Sequence, residues 1–563
     1  MPGRTGRFAI IEQFLADGIT YMFGNPGTVE QGFLDSLEQY PDFKYIMGLQ
    51  ETIAVAIGDG YARATKKPTL VQLHSGVGLG NGIGMMYQAM RGHAPLVVIA
   101  GESGIRFDAM DAQMAADLVS MARPVTKWAT RVVDPNSVLR VLRRAIKMAA
   151  TPPMGPVFVC LPADVLDALN DEPVFPTPML DTRVAPTAEQ VARAADMLVG
   201  ANHPIIIMGD GIAFSHAQDE LQRVAELLGA EVWGADSSEV NMSYTHPLFK
   251  GMTGHMFGAA SAKATTKADA VLVVGTYVFP EVFPYLDPDK IFAPNAKIVH
   301  IDLNAYEIGK NFNVDLGMVS DPKLTLGALA SALEGKLGES DLRAARERLE
   351  ASRAANQAAR DQAVAHDQAQ RSAVPMSGAT FIEALSRHVP DDVVIFDEAL
   401  TSSPYVTRYM PPHLPDHFFQ TRGGSLGVGI PGALGLKLAM PDKTVIGFTG
   451  DGGSMYTIQA LWTAAHYKIG AKFVICNNQS YRLLKDNILQ YWREQVGDPV
   501  HEFPSGFDLK DPVIDFAGLS RSMGVPAVCV DRPENVEAAV KQMLETPGPF
   551  LVDMVISNDV PGL

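Results

Sequence analysis

The sequence predicts an α/β fold made of three doubly wound parallel-sheet domains, and three observations carry that prediction. Short β-rich runs alternate with longer stretches of helical period along all 563 residues. The runs are continuously apolar rather than alternating, which marks strands buried on both faces and therefore parallel sheets covered by helices. Composition shifts at two places, and about 150 residues per domain gives three or four domains for this length.

Taken in order, the strand-like runs begin with TLVQLHS (69–75), APLVVIAGES (94–103) and GPVFVCLPAD (155–164). A Pro-, Asp- and Thr-rich stretch within 165–190 then reads as a linker. Beyond it lie PIIIMGDG (204–211), ADAVLVVGT (268–276) and AKIVHIDLN (296–304). Residues 340–377 turn to Ala, Arg, Gln and Asp with few large apolar side chains, an exposed helix followed by a connector. The last group is DDVVIFDEA (391–399), TVIGFTGDG (444–452), KFVICNN (472–478) and PFLVDMVIS (549–557). The expected organisation is an N-terminal domain over 1–175, a central Rossmann-like domain over 186–340, a helix and linker over 341–377, and a C-terminal domain over 378–563. LHSGVGLGNGIGMMYQA (73–89) and RGGSLGVGIPGALGLKLA (422–439) both run from a Gly-rich turn into a small-residue helix, an echo that relates the first and last domains.

The bulk composition excludes several classes. A net charge of −17 disfavours nucleic acid as a partner. No apolar run reaches the roughly 20 residues that span a bilayer, so no membrane is expected, and the N-terminal stretch reads as an amphipathic helix rather than a signal peptide. Three cysteines, Cys160, Cys476 and Cys529, are too few for a disulfide framework and suit a reducing cytoplasm. Each lies in an apolar strand-like run, which predicts buried, inert thiols.

Chemistry concentrates in TGDGGSMYTIQALWTAAHYKIGAKFVICNNQSY (449–481). Asp451 follows a strand at its C-terminal end, where open α/β sheets bind ligands. Its neighbours Gly450, Gly452 and Gly453 allow close backbone approach. A helix from Ser454 to about Tyr467, with Met455, Ile458, Trp462 and Ala465 as its core stripe, would offer free N–H groups to a phosphate. Asn477 and Asn478 end the next strand, 27 positions after Asp451. A carboxylate, an amide oxygen, a backbone carbonyl and phosphate oxygens form a shell suited to Mg²⁺ or Ca²⁺.

This stretch resembles the diphosphate-binding motif of thiamine-diphosphate-dependent enzymes, which begins GDG and closes with NN. FGNPGTVE (23–30), GLQETIAVAIGDGYA (48–62), LHSGVGLGNGIG (73–84) and ALWTAAHYKIG (460–470) resemble benzoylformate decarboxylase and its relatives, whereas HIDLNAYEIGKN (300–311) is more similar to acetolactate synthase. The resemblance spans essentially the whole chain and implies a pyrimidine-binding, a middle and a diphosphate-binding domain. It implies that Asp451, Asn478 and the Ser480 carbonyl hold the cation, with Thr401, Ser402, Ser454 and Tyr481 near the diphosphate. Glu51 would face the aminopyrimidine ring of thiamine diphosphate and share a proton with it, so that the thiazolium C2 carbon can become the nucleophile. Leu426 would hold the two rings in a V, with the Gly424 backbone at the pyrimidine edge. His74 would exchange protons with the substrate, Thr28 would meet it, and Gln113 falls where related lyases and synthases carry a glutamine.

The chain departs from benzoylformate decarboxylase where that enzyme brings a second histidine from its middle domain; here Val282 falls nearest, with Glu281 and Tyr285 beside it. After NNQSY, Arg482 and Lys485 appear where the decarboxylase has small and apolar residues, and Arg482, Leu483 and Val282 are the expected pocket side chains. The resemblance implies a small 2-oxo acid or aldehyde as substrate. It further implies non-oxidative decarboxylation of benzoylformate type with carboligation as a side activity. A 2-hydroxyacyl-CoA lyase or an acetolactate-synthase-like ligase is the alternative. A flavin or nicotinamide oxidoreductase using the central domain, where FAD or ADP could sit, is the alternative from another class. A homodimer is the minimum unit the resemblance implies, and a homotetramer the expected assembly.

Overall fold

The computed structural model describes residues 4–560 apart from 236, 255, 257, 277, 280, 288, 289 and 498–500. It contains three six-stranded sheets flanked by helices. The first is built from β1 (Tyr21–Gly24), β2 (Lys44–Met47), β3 (Thr69–Leu73), β4 (Leu96–Glu102), β5 (Trp128–Arg131) and β6 (Val157–Pro162), in the order β2-β1-β3-β4-β6-β5. The second has β7 (Pro204–Met208), β8 (Glu231–Gly234), β9 (Phe249–Met252), β10 (Ala270–Val274), β11 (Lys297–Asp302) and β12 (Leu316–Val319), ordered β12-β11-β10-β7-β8-β9. The third has β13 (Val394–Glu398), β14 (Phe418–Gln420), β15 (Val445–Gly450), β16 (Lys472–Asn477), β17 (Ala527–Val530) and β18 (Phe550–Val555), ordered β14-β13-β15-β16-β18-β17. Neighbouring strands such as β3 and β4 or β15 and β16 run parallel, and the residues of these central strands are almost all buried. The continuous apolar runs therefore form as the sequence dictates, each with a helix layer on both faces.

The first and third sheets share one strand order, which is the structural counterpart of the Gly-rich echo between 73–89 and 422–439. The second sheet has the doubly wound order of dinucleotide-binding folds. The chain divides into two compact units: Met1–Leu180 with Ala373–Ser403 and Gln420–Leu563, and Asp181–Ser372 with Pro404–Phe419. In the first unit the helices Glu51–Thr65 and Gly429–Ala439 cross in backbone contact. A Cβ on Gly60 would fall 2.2 Å from the Gly432 carbonyl oxygen, and one on Gly435 would fall 2.1 Å from that of Ile57. In the second unit the 31-residue helix Glu339–Ala369 is mostly exposed, and its Asn356 accepts a hydrogen bond from Lys250 Nζ at 2.7 Å.

Two local expectations are corrected. The helix expected from Ser454 to Tyr467 is broken into Asp451–Ser454 and Ala460–His466, with turns between them. Met455 consequently leaves the core stripe and is 41% exposed, while Ile458 stays buried. Cys160 and Cys476 are buried, but Cys529 is exposed because β17 is an edge strand. Partial burial and nearby Asp553, Asp531 and Asp515 still push the Cys529 thiol up to about 11, so it stays protonated.

Candidate active site

The site begins where β15 ends. Asp451 is the first residue of a single helical turn and is almost wholly buried. Its Oδ1 accepts from the Gly452 N–H at 2.8 Å and its Oδ2 from the Ser480 N–H at 3.1 Å. Burial pushes its carboxyl up to about 6, with the N–H donors from Gly452 and Ser480 pulling the other way. The second bond joins the end of β15 to the segment after β16, so the acid and the NNQS stretch are held as one piece.

Asn478 supplies the decisive feature. It is 7% exposed, and its Oδ1 is buried with no hydrogen-bond partner. A buried amide oxygen without a donor costs about 1–3 kcal/mol, and a cation beside Asp451 would remove that cost. Among the described residues no cluster of three His, Cys, Asp or Glu side chains is placed to hold a metal. A cation here therefore relies on one carboxylate, one amide oxygen and a backbone carbonyl such as that of Ser480, completed by phosphate oxygens. That set fits Mg²⁺ or Ca²⁺. Gln479, between the two, has φ of 56°, backbone strain of the kind that collects at binding sites.

The backbone directly before Asp451 borders open space. A Cβ on Gly450 or on Gly424 would meet nothing within 4 Å. Thr401 and Ser402 lie in a short turn, Leu400–Ser402, directly after β13. Ser402 is fully buried against the Cys476 thiol, whereas Thr401 is half-buried and is the better placed of the two to meet a ligand. Ser454 donates its hydroxyl to the Asp451 carbonyl at 2.8 Å and so closes the turn. Tyr481 packs its ring where a Gly452 side chain would be, 2.4 Å from the would-be Cβ. Leu426 is half-buried in the loop before the helix Gly429–Ala439.

The first sheet carries the other half. Glu51 opens the helix Glu51–Thr65, whose N-cap Gln50 accepts from the Thr52 N–H. Its carboxylate is buried and its Oε2 accepts from Asn81 Nδ2 at 3.0 Å, with Gly78 leaving room beside Oε1. His74 follows β3 and is the N-cap residue of the helix Ser75–Arg91. Its Nδ1 lies 2.8 Å from Glu30 Oε2, while Glu30 Oε1 accepts from the Gly101 N–H at 2.7 Å. A Cβ on Gly27 would fall 1.8 Å from His74 Nδ1, so the GNPGT turn needs glycine there for the imidazole to lie against it. Burial raises the Glu30 carboxyl, with the hydrogen bond to His74 opposing it.

Sequence reasoning missed Glu30 and Asn81: a single acid at a helix start and an Asn in a Gly-rich helix look like surface residues. Thr28 is exposed at the start of the turn Thr28–Glu30. Gln113 is exposed in the irregular segment after β4, which reaches the Ser75 hydroxyl through the Met114 carbonyl at 3.2 Å.

The basic pair after Tyr481 separates. Lys485 is buried and donates to Asp508 at 2.7 Å, so it is a neutralised structural cation. Arg482 opens the helix Arg482–Tyr491 and keeps a buried Nε without a hydrogen-bond partner; Leu483 beside it is half-buried. Val282 belongs to the second unit and is 56% exposed there. In that unit, the GDGI turn after β7 and the turn after β10 touch, the Gly211 N–H donating to the Gly275 carbonyl at 2.9 Å.

Comparison with known proteins meets this geometry. Family models described as thiamine pyrophosphate enzyme match residues 4–121 (N-terminal TPP binding domain), 191–329 (central domain) and 401–554 (C-terminal TPP binding domain). The chain is 29% identical over 557 residues to benzoylformate decarboxylase of Pseudomonas aeruginosa, covering 98% of each. It is 27% identical to the acetolactate synthase isozyme 3 large subunit of Escherichia coli, covering 96% of this chain and 92% of that one. Among solved structures, the thiamine diphosphate-dependent 4-hydroxybenzoylformate decarboxylase of Rhodococcus jostii RHA1 superposes with a TM-score of 0.84 at 26% identity, over 99% of this chain and all of that one. The three models fall in order on the three sheets, and the orphaned amide of Asn478 lies within the last of them. The chain belongs to the thiamine pyrophosphate enzymes.

Proposed function

We propose that this enzyme uses thiamine diphosphate and Mg²⁺ to decarboxylate a 2-oxo acid of benzoylformate type without oxidation, with carboligation of aldehydes as a side activity. The observation that carries the cofactor is the buried, unpartnered Asn478 Oδ1, two residues before the Ser480 N–H that Asp451 accepts from. Full-length similarity to a benzoylformate decarboxylase supports the reaction. When bound, the cofactor supplies a carbon nucleophile and an electron sink for cleavage next to a carbonyl.

The chain's own residues bind, orient and move protons. Asp451, Asn478 and the Ser480 carbonyl would hold the cation, and Thr401 would meet the diphosphate. Glu51, fixed by Asn81, holds a proton against the pyrimidine ring. Glu30 engages Nδ1 of His74, leaving Nε2 as the nitrogen that exchanges a proton with a substrate oxygen. Leu426 would hold the two rings in their pose. The family's second histidine has no counterpart at Val282, so His74 carries the proton traffic with Thr28 and Gln113 at the rim.

Leu49 (45% exposed), Val77 (67%), Met455 (41%) and Tyr456 (56%) flank the two half-sites. A partner copy would cover these side chains, which fits a homodimer as the minimum unit and a tetramer of two such dimers. Free cysteines suit a cytoplasmic setting.

The test is protein stripped of cofactor and cation, then resupplied and assayed for CO₂ from benzoylformate and pyruvate. Full activity without thiamine diphosphate would reject the reading. Arg482, with its unpartnered Nε, favours a second reading in which the substrate carries another anionic group, as an acyl-CoA does. Cleavage of a 2-hydroxyacyl-CoA with no CO₂ from either 2-oxo acid would decide for it.

A further inference from the structure

Glu398 ends β13 and is almost completely buried, yet no ion pair reaches it among the described residues. Its two oxygens are fully engaged by neutral donors. The Gly427 N–H reaches Oε1 at 2.5 Å, the Gly429 N–H reaches Oε2 at 2.7 Å, and the Thr449 hydroxyl reaches Oε2 at 3.1 Å. Gly427 is held from its other side as well, because the Thr457 hydroxyl donates to its carbonyl at 2.6 Å. It sits at φ of +94°, and a Cβ there would meet the Tyr456 Cβ at 2.7 Å. One carboxylate thus ties three segments of the chain together. It closes the strand that leads to Thr401, grips the loop immediately after Leu426, and holds Thr449, two residues before Asp451.

A buried carboxylate without a cation is a costly way to fasten a loop. Burial pushes the Glu398 carboxyl up to about 7 against the pull of its N–H donors. A glutamine would fill the same volume, but it offers one acceptor oxygen and sets an NH₂ donor against a backbone N–H. Only a carboxylate accepts from Gly427 and Gly429 at once.

We propose that Glu398 is a positioning residue whose carboxylate sets the height of Leu426 relative to the Asp451 cation site, and thereby the pose of the bound cofactor. This rests on the reading that thiamine diphosphate occupies the site. The experiment is a titration of the cofactor-free protein with thiamine diphosphate at fixed Mg²⁺, followed by intrinsic fluorescence, for wild type, Glu398→Gln, Leu426→Ala and the double variant. Glu398→Gln should weaken binding by roughly five- to hundredfold, the span expected when buried N–H groups lose their acceptor.

Because Glu398 acts through Leu426, the double variant should bind no more weakly than the weaker single variant. Wild-type-like binding by Glu398→Gln, or effects that multiply in the double variant, would overturn the proposal. If wild type itself fails to bind thiamine diphosphate, the functional reading falls and takes this one with it. Thr457→Val, which frees the Gly427 carbonyl while leaving Glu398 in place, serves if Glu398→Gln does not fold. It should weaken binding in the same direction, and unchanged binding would again overturn the proposal.

Discussion

On the proposed reading Asp451 and Asn478 share one cation between a carboxylate and an amide, so their loss should be felt first in cofactor binding. Asp451→Asn removes the only charge in the set, so thiamine diphosphate affinity in Mg²⁺ should fall by roughly a hundredfold or more. Chelation of wild type should release the cofactor, and Mg²⁺ or Ca²⁺ should restore it; binding that is indifferent to chelator would contradict the site. Glu51→Gln should behave differently, because Asn81 can still hydrogen-bond the amide oxygen. Binding should stay within a few fold while kcat drops by about 10²- to 10⁴-fold, the usual worth of a positioned proton-transfer group.

Asp302, at the end of β11, gives a residue-scale test of pH dependence away from the cation. Burial moves its carboxyl from 3.8 up to about 6. The folded state therefore holds that proton more tightly than the unfolded chain, so stability falls as pH rises between these two values and is level above them. Asp302→Asn, which keeps an oxygen for the Asn304 N–H, should remove that slope. Urea unfolding between about pH 4.5 and 7 would show the variant gaining on wild type up to about pH 6; a constant offset would refute the assignment.

At the scale of elements, the glycine crossing is the feature most open to a stability measurement. Gly60→Ala puts a methyl group 2.2 Å from a backbone oxygen that has no flexible end to move aside. A loss of about 1–3 kcal/mol is expected for such overpacking. Gly506→Ala is the control, since a Cβ there meets nothing within 4 Å. Equal melting temperatures for the two variants would show that the helices can part without cost.

The same scale explains which elements the sequence made legible. Ten of the eighteen strands stand out as continuous apolar runs, and each has at least five residues. The other eight, among them β1, β5 and β17, have four residues or fewer and mostly lie at sheet edges. A short strand with one open face buries too little apolar surface to leave a pattern, as the half-exposed residues of Trp128–Arg131 show. The broken helix after Asp451 was hidden for another reason. The apolar spacing of Ile458, Trp462 and Ala465 is helical, but only part of that stretch packs against the core. Asp451, Asn478 and Glu51 could be singled out because motif and spacing mark them. Glu30 and Glu398 could not, since their roles lie in backbone N–H groups and an imidazole brought close only by the fold.

At the scale of the whole molecule, the two sheets of like order each carry half of the proposed site: Glu51 and His74 on the first, Asp451 and Asn478 on the third. Among the described residues, no hydrogen bond or ion pair joins the Glu51–Asn81 pair to the Asp451–Ser480 pair within one chain. If each site is completed by a second copy, then Glu51 and Asp451 of one site come from different chains. Assayed at limiting thiamine diphosphate, Glu51→Gln and Asp451→Asn are each expected to keep only about a hundredth of wild-type activity or less. In a dimer holding one of each, one site combines both intact residues and the other combines both lesions. Co-expression in equal amounts makes about half the dimers mixed, and half the sites in those are whole, so about a quarter of wild-type activity should return. Sites contained within single chains would return none, because every chain then carries a lesion in its own site. The recovered activity, measured against the fraction of mixed dimers separated by distinct affinity tags, decides between the two arrangements.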